Sequence, residues 1–352
     1  MSDILAEVHD GCGFITLNRP QALNALSLSM IRDLTAALTA WRDDPAIHLV
    51  AVRGQGKEGP FGAFCAGGDI RFFHQAVFAG NPQLEDFFTE EYRLNYLIHN
   101  YPKPYVGFLD GIVMGGGMGI SQGSKLRIVT ERTKMAMPET NIGLFPDVGG
   151  GYFLSRCPGR LGEYLALTGQ VIGGMDAIAA GLADVMVESY QLPKLWQDMP
   201  HQLPQALAAP VAASAMLVAQ RAQIDQFFGL ESVGAIIKAL ESDTSPWARE
   251  TAGSLRKRSP LMLHVVLEQV RRGRSMNLAD DLRMERDMVW QCFHLRPGAA
   301  SETVEGIRAA VIDKDHSPKW MPARIEDVTP EMVAPFFASP WTSATHPLRE
   351  LA

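Results

Sequence analysis

An α/β fold class is predicted by three observations. Short apolar runs that read as buried strands alternate with helical patterns over the first 190 residues. Two glycine clusters, each preceding a helix start, punctuate the middle of the chain. After about residue 190 the strands give way to an Ala-rich stretch broken by Pro193, Pro200, Pro204 and Pro210, then to a wholly helical pattern. At 352 residues the chain can bury a large core as one big domain or two. The expected division is an α/β core over residues 1–205 that carries the site, with a helical region over 206–352 packed on it.

In chain order, Phe14 to Leu17 predicts a strand closed by Asn18-Arg19-Pro20. Ser29 is the expected cap of a helix whose apolar face is Met30, Leu34, Leu38 and Trp41. His48 to Arg53 reads as a buried strand, and 54–62 as a loop. Gly67-Gly68 then precedes Asp69, a natural N-cap, so a helix after Asp69 begins with free N–H groups near the glycines. Asn81-Pro82 breaks it, and Phe87 to Asn100 forms the next helix. Tyr105 to Leu109 predicts a buried strand ending in the turn signal Asp110-Gly111. Gly115, Gly116, Gly117 and Gly119 follow, then a helix, a strand over Leu126 to Val129, and a helix over Leu161 to Thr168 that stops at Gly169. Further on, Ser259 as N-cap with Pro260 at the first helical position starts a helix that stops at Gly273. Asn277 to Phe293, Ser301 to Ile312 and Thr329-Pro330 to Phe337 read as three more.

Composition narrows the function. Hydrophobic content of 47% and charged content of 20% are those of an ordinary globular protein. A net charge of −7, without a long Lys/Arg run, argues against nucleic-acid binding. The four cysteines are far apart with no C-x-x-C pair, which disfavours a metal centre or a disulfide framework and favours a reducing compartment. The N-terminus shows no cationic start followed by an apolar stretch, so no signal peptide is expected. Tyr105 to Ile120, the most apolar window, is broken by Asp110 and six glycines, so no membrane span is expected. Cytoplasmic localisation follows as the expectation.

The candidate chemistry gathers between Lys103 and Arg156. Glycines at 115–117 let the backbone approach a ligand closely and present bare N–H groups. Two acids stand in apolar surroundings, Glu139 after Met137-Pro138 and Asp147 after Phe145-Pro146. A single loop acid is usually a cap or turn residue, but two beside prolines within eight positions point to a site. Upstream, Glu91 shares a helical face with Phe87, Phe88, Leu94 and Ile98; Glu90, one residue round, fits the pattern almost as well. Gly119-Ile120-Ser121-Gln122-Gly123 matches a G-x-S-x-G nucleophile elbow, but Ser121 falls a helical turn beyond the glycine turn, and His201 and His264 downstream have no motif context. Neither glycine cluster matches the dinucleotide fingerprint G-x-G-x-x-G, and no Walker-type G-K-[ST] or H-E-x-x-H occurs.

The sequence resembles the enoyl-CoA hydratase (crotonase) superfamily, and more closely its 3-hydroxyisobutyryl-CoA hydrolase branch. The likeness is carried by Asn18-Arg19-Pro20 with Leu23 to Leu26, Phe64 to Arg71, Glu90-Glu91-Tyr92, Lys103-Pro104-Tyr105, Met114 to Gly117, and the long run Met137 to Tyr152. Near the C-terminus, Glu305 to Ala309 and Ile312 to Trp320 also resemble that branch, while residues 205–250 match weakly. The resemblance implies a crotonase-type spiral of βαβ units followed by a helical C-terminal region. It also implies an oxyanion hole from the N–H groups of Gly68 and Gly116. Hydratases of the superfamily use two glutamates; one matches Glu139, and the other position is Gly119 here. Asp147 stands where hydratases generally have a small residue. Both departures are those of the hydrolase branch, in which positions matching Glu91, Gly116, Glu139 and Asp147 are linked to substrate binding and catalysis.

The resemblance therefore implies hydrolysis of the thioester of a short 3-hydroxyacyl-CoA, 3-hydroxyisobutyryl-CoA of valine breakdown in particular, with Glu139 and Asp147 catalytic and Glu91 reading the 3-hydroxyl. No metal or redox cofactor is expected, CoA being part of the substrate; the expected partner is the acyl-CoA, with neither nucleic acid nor membrane, and a homo-oligomer is left open. Two alternatives stand beside it: double-bond isomerisation or hydration within the same superfamily, and a non-catalytic CoA-binding protein. Whether Glu139 attacks as a nucleophile or activates water, and which basic residues hold the CoA phosphates, stays open.

Overall fold

A computed structural model describes residues 2–201 and 215–352. The described residues fall into two compact units interleaved along the chain. The first gathers residues within Met1–Gly68, Glu90–Ala136 and Val171–Ala219, and the second those within Asp69–Thr89, Met137–Gln170 and Gln220–Ala352. The expected boundary between residues 205 and 206, together with Pro204 and Pro210, lies outside the described residues.

The first unit holds all the strands among the described residues: β1 (Ile4–His9), β2 (Cys12–Leu17), β3 (Leu49–Gly54), β4 (Tyr105–Leu109), β5 (Ile112–Met114), β6 (Leu126–Val129), β7 (Lys134–Ala136) and β8 (Val185–Met186). Six make one sheet in the order β1-β2-β3-β4-β6-β8, antiparallel only at β1-β2. The near-continuous apolar runs of β3 and β4 are the signature of parallel strands covered on both faces. One face buries Phe14, Leu49, Ala51, Val106, Phe108 and Ile128.

A second ladder runs beside the first. β5 pairs in parallel with β7, Cys65 bridges to Val113, and Leu26 bridges to Gly68, all in parallel. Each turn of chain thus contributes one strand to the main sheet and then one short segment to the second ladder: β2 then Leu26, β3 then Cys65–Gly68, β4 then β5, β6 then β7. That is a spiral of βαβ turns, and it sets Gly68 and the glycine loop after β5 on successive levels.

The second unit is helical among its described residues. Its helices include Ile70–Ala79, Leu161–Thr168, Val233–Ser242, Pro246–Leu255, Pro260–Gly273, Leu278–His294 and Glu302–Ile307. Asp69 caps the first, accepting from Phe72 N–H at 3.4 Å, and Ser259 caps Pro260–Gly273, accepting from Met262 N–H at 3.2 Å. No helix of the described residues is long and apolar enough to cross a membrane.

Several expectations need correction at their ends. The helix over Leu28–Arg42 buries Met30, Leu34, Leu38 and Trp41 as expected, but its cap is Ser27, not Ser29. Ser27 is the last extended residue, so its hydroxyl reaches Met30 N–H at 3.3 Å; Ser29 is already inside the first turn. The Phe87 helix begins earlier, at Gln83. The expected Ser301–Ile312 helix is regular only over Glu302–Ile307 and widens to a π turn over Arg308–Ile312. Replacing Ser27 with alanine should cost about 1 kcal/mol of stability, against a few tenths for Ser29→Ala. Thermal unfolding of the two variants beside the native chain checks this, and equal losses would contradict it.

Candidate active site

In the first unit, three sequence-predicted residues meet. A Cβ placed on Gly116 would sit 3.4 Å from Gly68 N and only 2.6 Å from Glu91 Oε1. A side chain at 116 would thus displace the Glu91 carboxylate, and the Gly68 and Gly116 backbones stand close together beside it. Gly116 is the first residue of the Gly116–Gln122 helix, so its N–H has no partner within that helix. Gly68 is held at its place by the ladder, its neighbour Gly67 accepting from Leu26 N–H at 2.7 Å. Two bare N–H groups on adjacent levels of a spiral can grip one carbonyl oxygen.

The choice between Glu90 and Glu91 is resolved by their surroundings. Glu90 lies toward solvent in a two-pronged pair with Arg32, at 2.6 and 2.8 Å. Glu91 is 2% exposed and turned inward. Its charge, after burial, helps push the neighbouring Cys65 thiol up to about 12. Ser121 is no nucleophile: its buried hydroxyl donates back to Gly117 O at 2.8 Å and Met118 O at 3.2 Å in its own helix.

In the second unit, Glu139 opens the 3₁₀ turn Glu139–Ile142, and Asp147 follows the Phe145-Pro146 bend. Both are buried, at 7% and 6% exposure. Burial first, and the Asp147 charge second, hold the Glu139 carboxyl well above the ordinary 4.5 of a glutamate. Glu139 Oε2 is buried with no hydrogen-bond partner among the described residues. A carboxylate of raised basicity with an unengaged oxygen can take a proton from water or attack a carbonyl carbon.

The C-terminal helix Glu302–Ile307 seats the Glu139 turn. Thr303 Oγ1 donates to Gly143 O at 2.7 Å, and a Cβ on Gly306 would lie 2.3 Å from the Ile142 backbone. The Glu305-Gly306-Ile307 motif, noticed only for its resemblance, thus has a packing reason. The second glycine cluster serves differently from the first: the N–H groups of Gly149 and Gly151 are taken up by the buried Glu285 carboxylate, at 2.7 and 2.9 Å. Sequence reasoning missed Glu285, Asp281 and Gln269, which pack under this turn. Asp281 and Glu285 recur at i, i+4 beside the buried Leu282, Met288 and Val289, a signal of the kind that singled out Glu91.

A family model for enoyl-CoA hydratase/isomerase matches residues 12–337. The chain is 41% identical over 351 residues to the 3-hydroxyisobutyryl-CoA hydrolase, mitochondrial, of Gallus gallus, covering 94% of this chain and 88% of that protein. It is 40% identical over 355 residues to the probable 3-hydroxyisobutyryl-CoA hydrolase 3 of Arabidopsis thaliana, covering 96% and 91%. Among solved structures, an enoyl-CoA hydratase from Rhodobacter sphaeroides 2.4.1 matches with a TM-score of 0.88 at 40% identity, covering 96% of this chain and 98% of that one. A carnitinyl-CoA dehydratase from Mycobacterium thermoresistibile matches with a TM-score of 0.83 at 38% identity, covering 96% and 97%. The fold is that of the crotonases, and the chain belongs to the enoyl-CoA hydratase/isomerase family.

The elevated proton affinity of Glu139 has a signed consequence for stability. The folded state binds this proton more tightly than the unfolded chain, so its stabilising contribution is full below the ordinary 4.5 and is lost as pH rises through the folded value. Glu139→Gln removes that loss. The variant should therefore melt a few degrees above the native protein near about pH 8, the gap closing toward about pH 4. Equal midpoints across that range, read by thermal unfolding, would mean that Glu139 titrates as an exposed glutamate does.

Proposed function

We propose that the protein hydrolyses the thioester of 3-hydroxyisobutyryl-CoA, releasing 3-hydroxyisobutyrate and CoA, a step of valine breakdown. The observation that carries this reading is the pair of buried acids, Glu139 and Asp147, in a chain with glycine at 119, where superfamily hydratases have a second glutamate. The hydrolase relatives support it by name. The solved relatives carry the names of a hydratase and a dehydratase, so the residues must decide between reactions.

In this reading the thioester oxygen accepts from the N–H groups of Gly68 and Gly116. Each such donor lowers the barrier by roughly 3 kcal/mol, because it is aimed in advance at the charge that develops. Glu139 takes a proton from the attacking water, whose oxygen bonds to the thioester carbon; alternatively Glu139 attacks that carbon itself, and water then cleaves the anhydride. The C–S bond breaks and the proton passes to the CoA sulfur. Asp147 orients Glu139 or the water. A general base works best when its proton affinity lies near the working pH, and the upward shift of Glu139 is in that direction. Glu91 accepts a hydrogen bond from the substrate 3-hydroxyl. No metal or redox cofactor enters the reaction. The cytoplasmic placement expected from the sequence stays part of this reading; four buried free cysteines accord with a reducing compartment, and the Gallus gallus relative is named as mitochondrial.

Thiol release from 3-hydroxyisobutyryl-CoA should exceed that from isobutyryl-CoA by at least about 100-fold, because a site built around a hydroxyl is left with an unpaired buried group when it is absent. Glu91→Ala should erase most of that ratio. Hydration of crotonyl-CoA, followed by loss of enoyl absorbance, should be negligible beside hydrolysis. Hydration as fast as thiol release would overturn the assignment in favour of a hydratase.

A further inference from the structure

Asp147 lies on a bend whose two sides are fastened from beneath by one pair of buried side chains. Gln269 Nε2, from the Pro260–Gly273 helix, donates to Pro146 O at 2.7 Å, on the residue just before Asp147. Glu285, from the Leu278–His294 helix, accepts from Gly149 N–H at 2.7 Å and Gly151 N–H at 2.9 Å, just after it. The clasp is closed because Gln269 Nε2 also donates to Glu285 Oε1, at 3.1 Å. Neither side chain is exposed to solvent at all. Asp281, equally buried, accepts from Tyr152 N–H at 2.9 Å and extends the hold by one residue.

The bend needs holding. Val148 and Gly149 both take positive φ, +58° and +87°, and for valine this is a strained conformation that persists only where its surroundings impose it. Burying two carboxylic acids under a turn is also unfavourable; burial first, and the Asp281 charge second, raise Glu285 well above the ordinary 4.5. The Asp147 charge contributes to that rise, so the two acids feel one another. A feature with this cost would be easy to replace by apolar packing if it served only to fill space.

We propose that Glu285, with Gln269, is a positioning residue for Asp147: it fixes the Pro146–Gly151 bend and so the aim of the Asp147 carboxylate. This rests on the hydrolase reading, in which Asp147 takes part in the reaction. A misplacement of about 1 Å in such a group is worth about 100-fold in rate.

Glu285→Gln is the discriminating variant. An amide nitrogen cannot accept a hydrogen bond, so one of the two glycine N–H groups loses its partner whatever the protonation of the native carboxyl, while shape is kept. Thiol release from 3-hydroxyisobutyryl-CoA should show kcat reduced by about 10- to 100-fold with KM within a factor of about three. In an Asp147→Asn background the same change should cost less than about threefold, since its effect passes through Asp147. Gln269→Leu, which frees Pro146 O, should behave likewise and decides the matter if Glu285→Gln does not fold. A folded Glu285→Gln or Gln269→Leu variant with native kcat overturns the inference, as does an equal loss with and without Asp147. Were the native chain inactive, or Asp147→Asn as fast as native, the hydrolase reading itself would fall; a silent Glu285 beside a dead Asp147→Asn removes only the positioning role.

Discussion

Glu139 and Asp147 are two like charges kept near each other and away from water, and the second unit is arranged around that unfavourable arrangement. Burial first, and the Asp147 charge second, make ionisation of Glu139 harder. Nothing in the local sequence would hold such a pair; a 3₁₀ turn and a positive-φ bend have little stability of their own. The hold comes from far along the chain, where Thr303 and Gly306 seat the Glu139 turn and Gln269 and Glu285 clasp the Asp147 bend. The C-terminal helices are therefore part of what makes the acids usable, although they contribute neither.

The first unit holds a different kind of element, backbone donors oriented by its ladders. Its spiral stacks one short segment per turn on a second ladder; one segment ends at Gly68, and the next, β5, runs straight into Gly115 and Gly116. A side chain at Gly116 would crowd the Glu91 carboxylate, 2.6 Å from where its Cβ would stand. Here the energetic logic is reversed: backbone N–H groups are neutral, already oriented by parallel pairing, and pay no reorganisation when charge develops.

Much of the fold was legible because it follows local rules. The β4 and β6 strands, the Leu161–Thr168 helix with its Gly169 stop, and the Asp69 and Ser259 caps all stand where apolar runs, N-cap residues and glycines place them. Other elements were not legible, three strands among them. The edge strand β1 exposes five of its six residues and does not alternate, while β5 and β7 are three residues each, too short for any period to show. Ser27 and Ser29 are equally good caps by type, and only the backbone decides between them. At the site, the inward acids could be singled out by their apolar company, but Glu90 and Glu91 could be separated only once Arg32, 58 positions earlier, came into contact. Glu285 escaped because its partners are backbone N–H groups more than 130 positions away.

In the proposed reaction Glu139 is the group that turns a gripped thioester into a hydrolysed one. The direct measurement is thiol release from 3-hydroxyisobutyryl-CoA by Glu139→Gln beside the native protein, with acyl-CoA binding measured in parallel. The substitution keeps shape and removes both basicity and nucleophilicity, while the Gly68 and Gly116 donors are untouched. The predicted result is a fall in kcat on the order of 10³-fold or more with binding retained. Near-native thiol release from the variant would contradict the account and return Glu139 to a structural role.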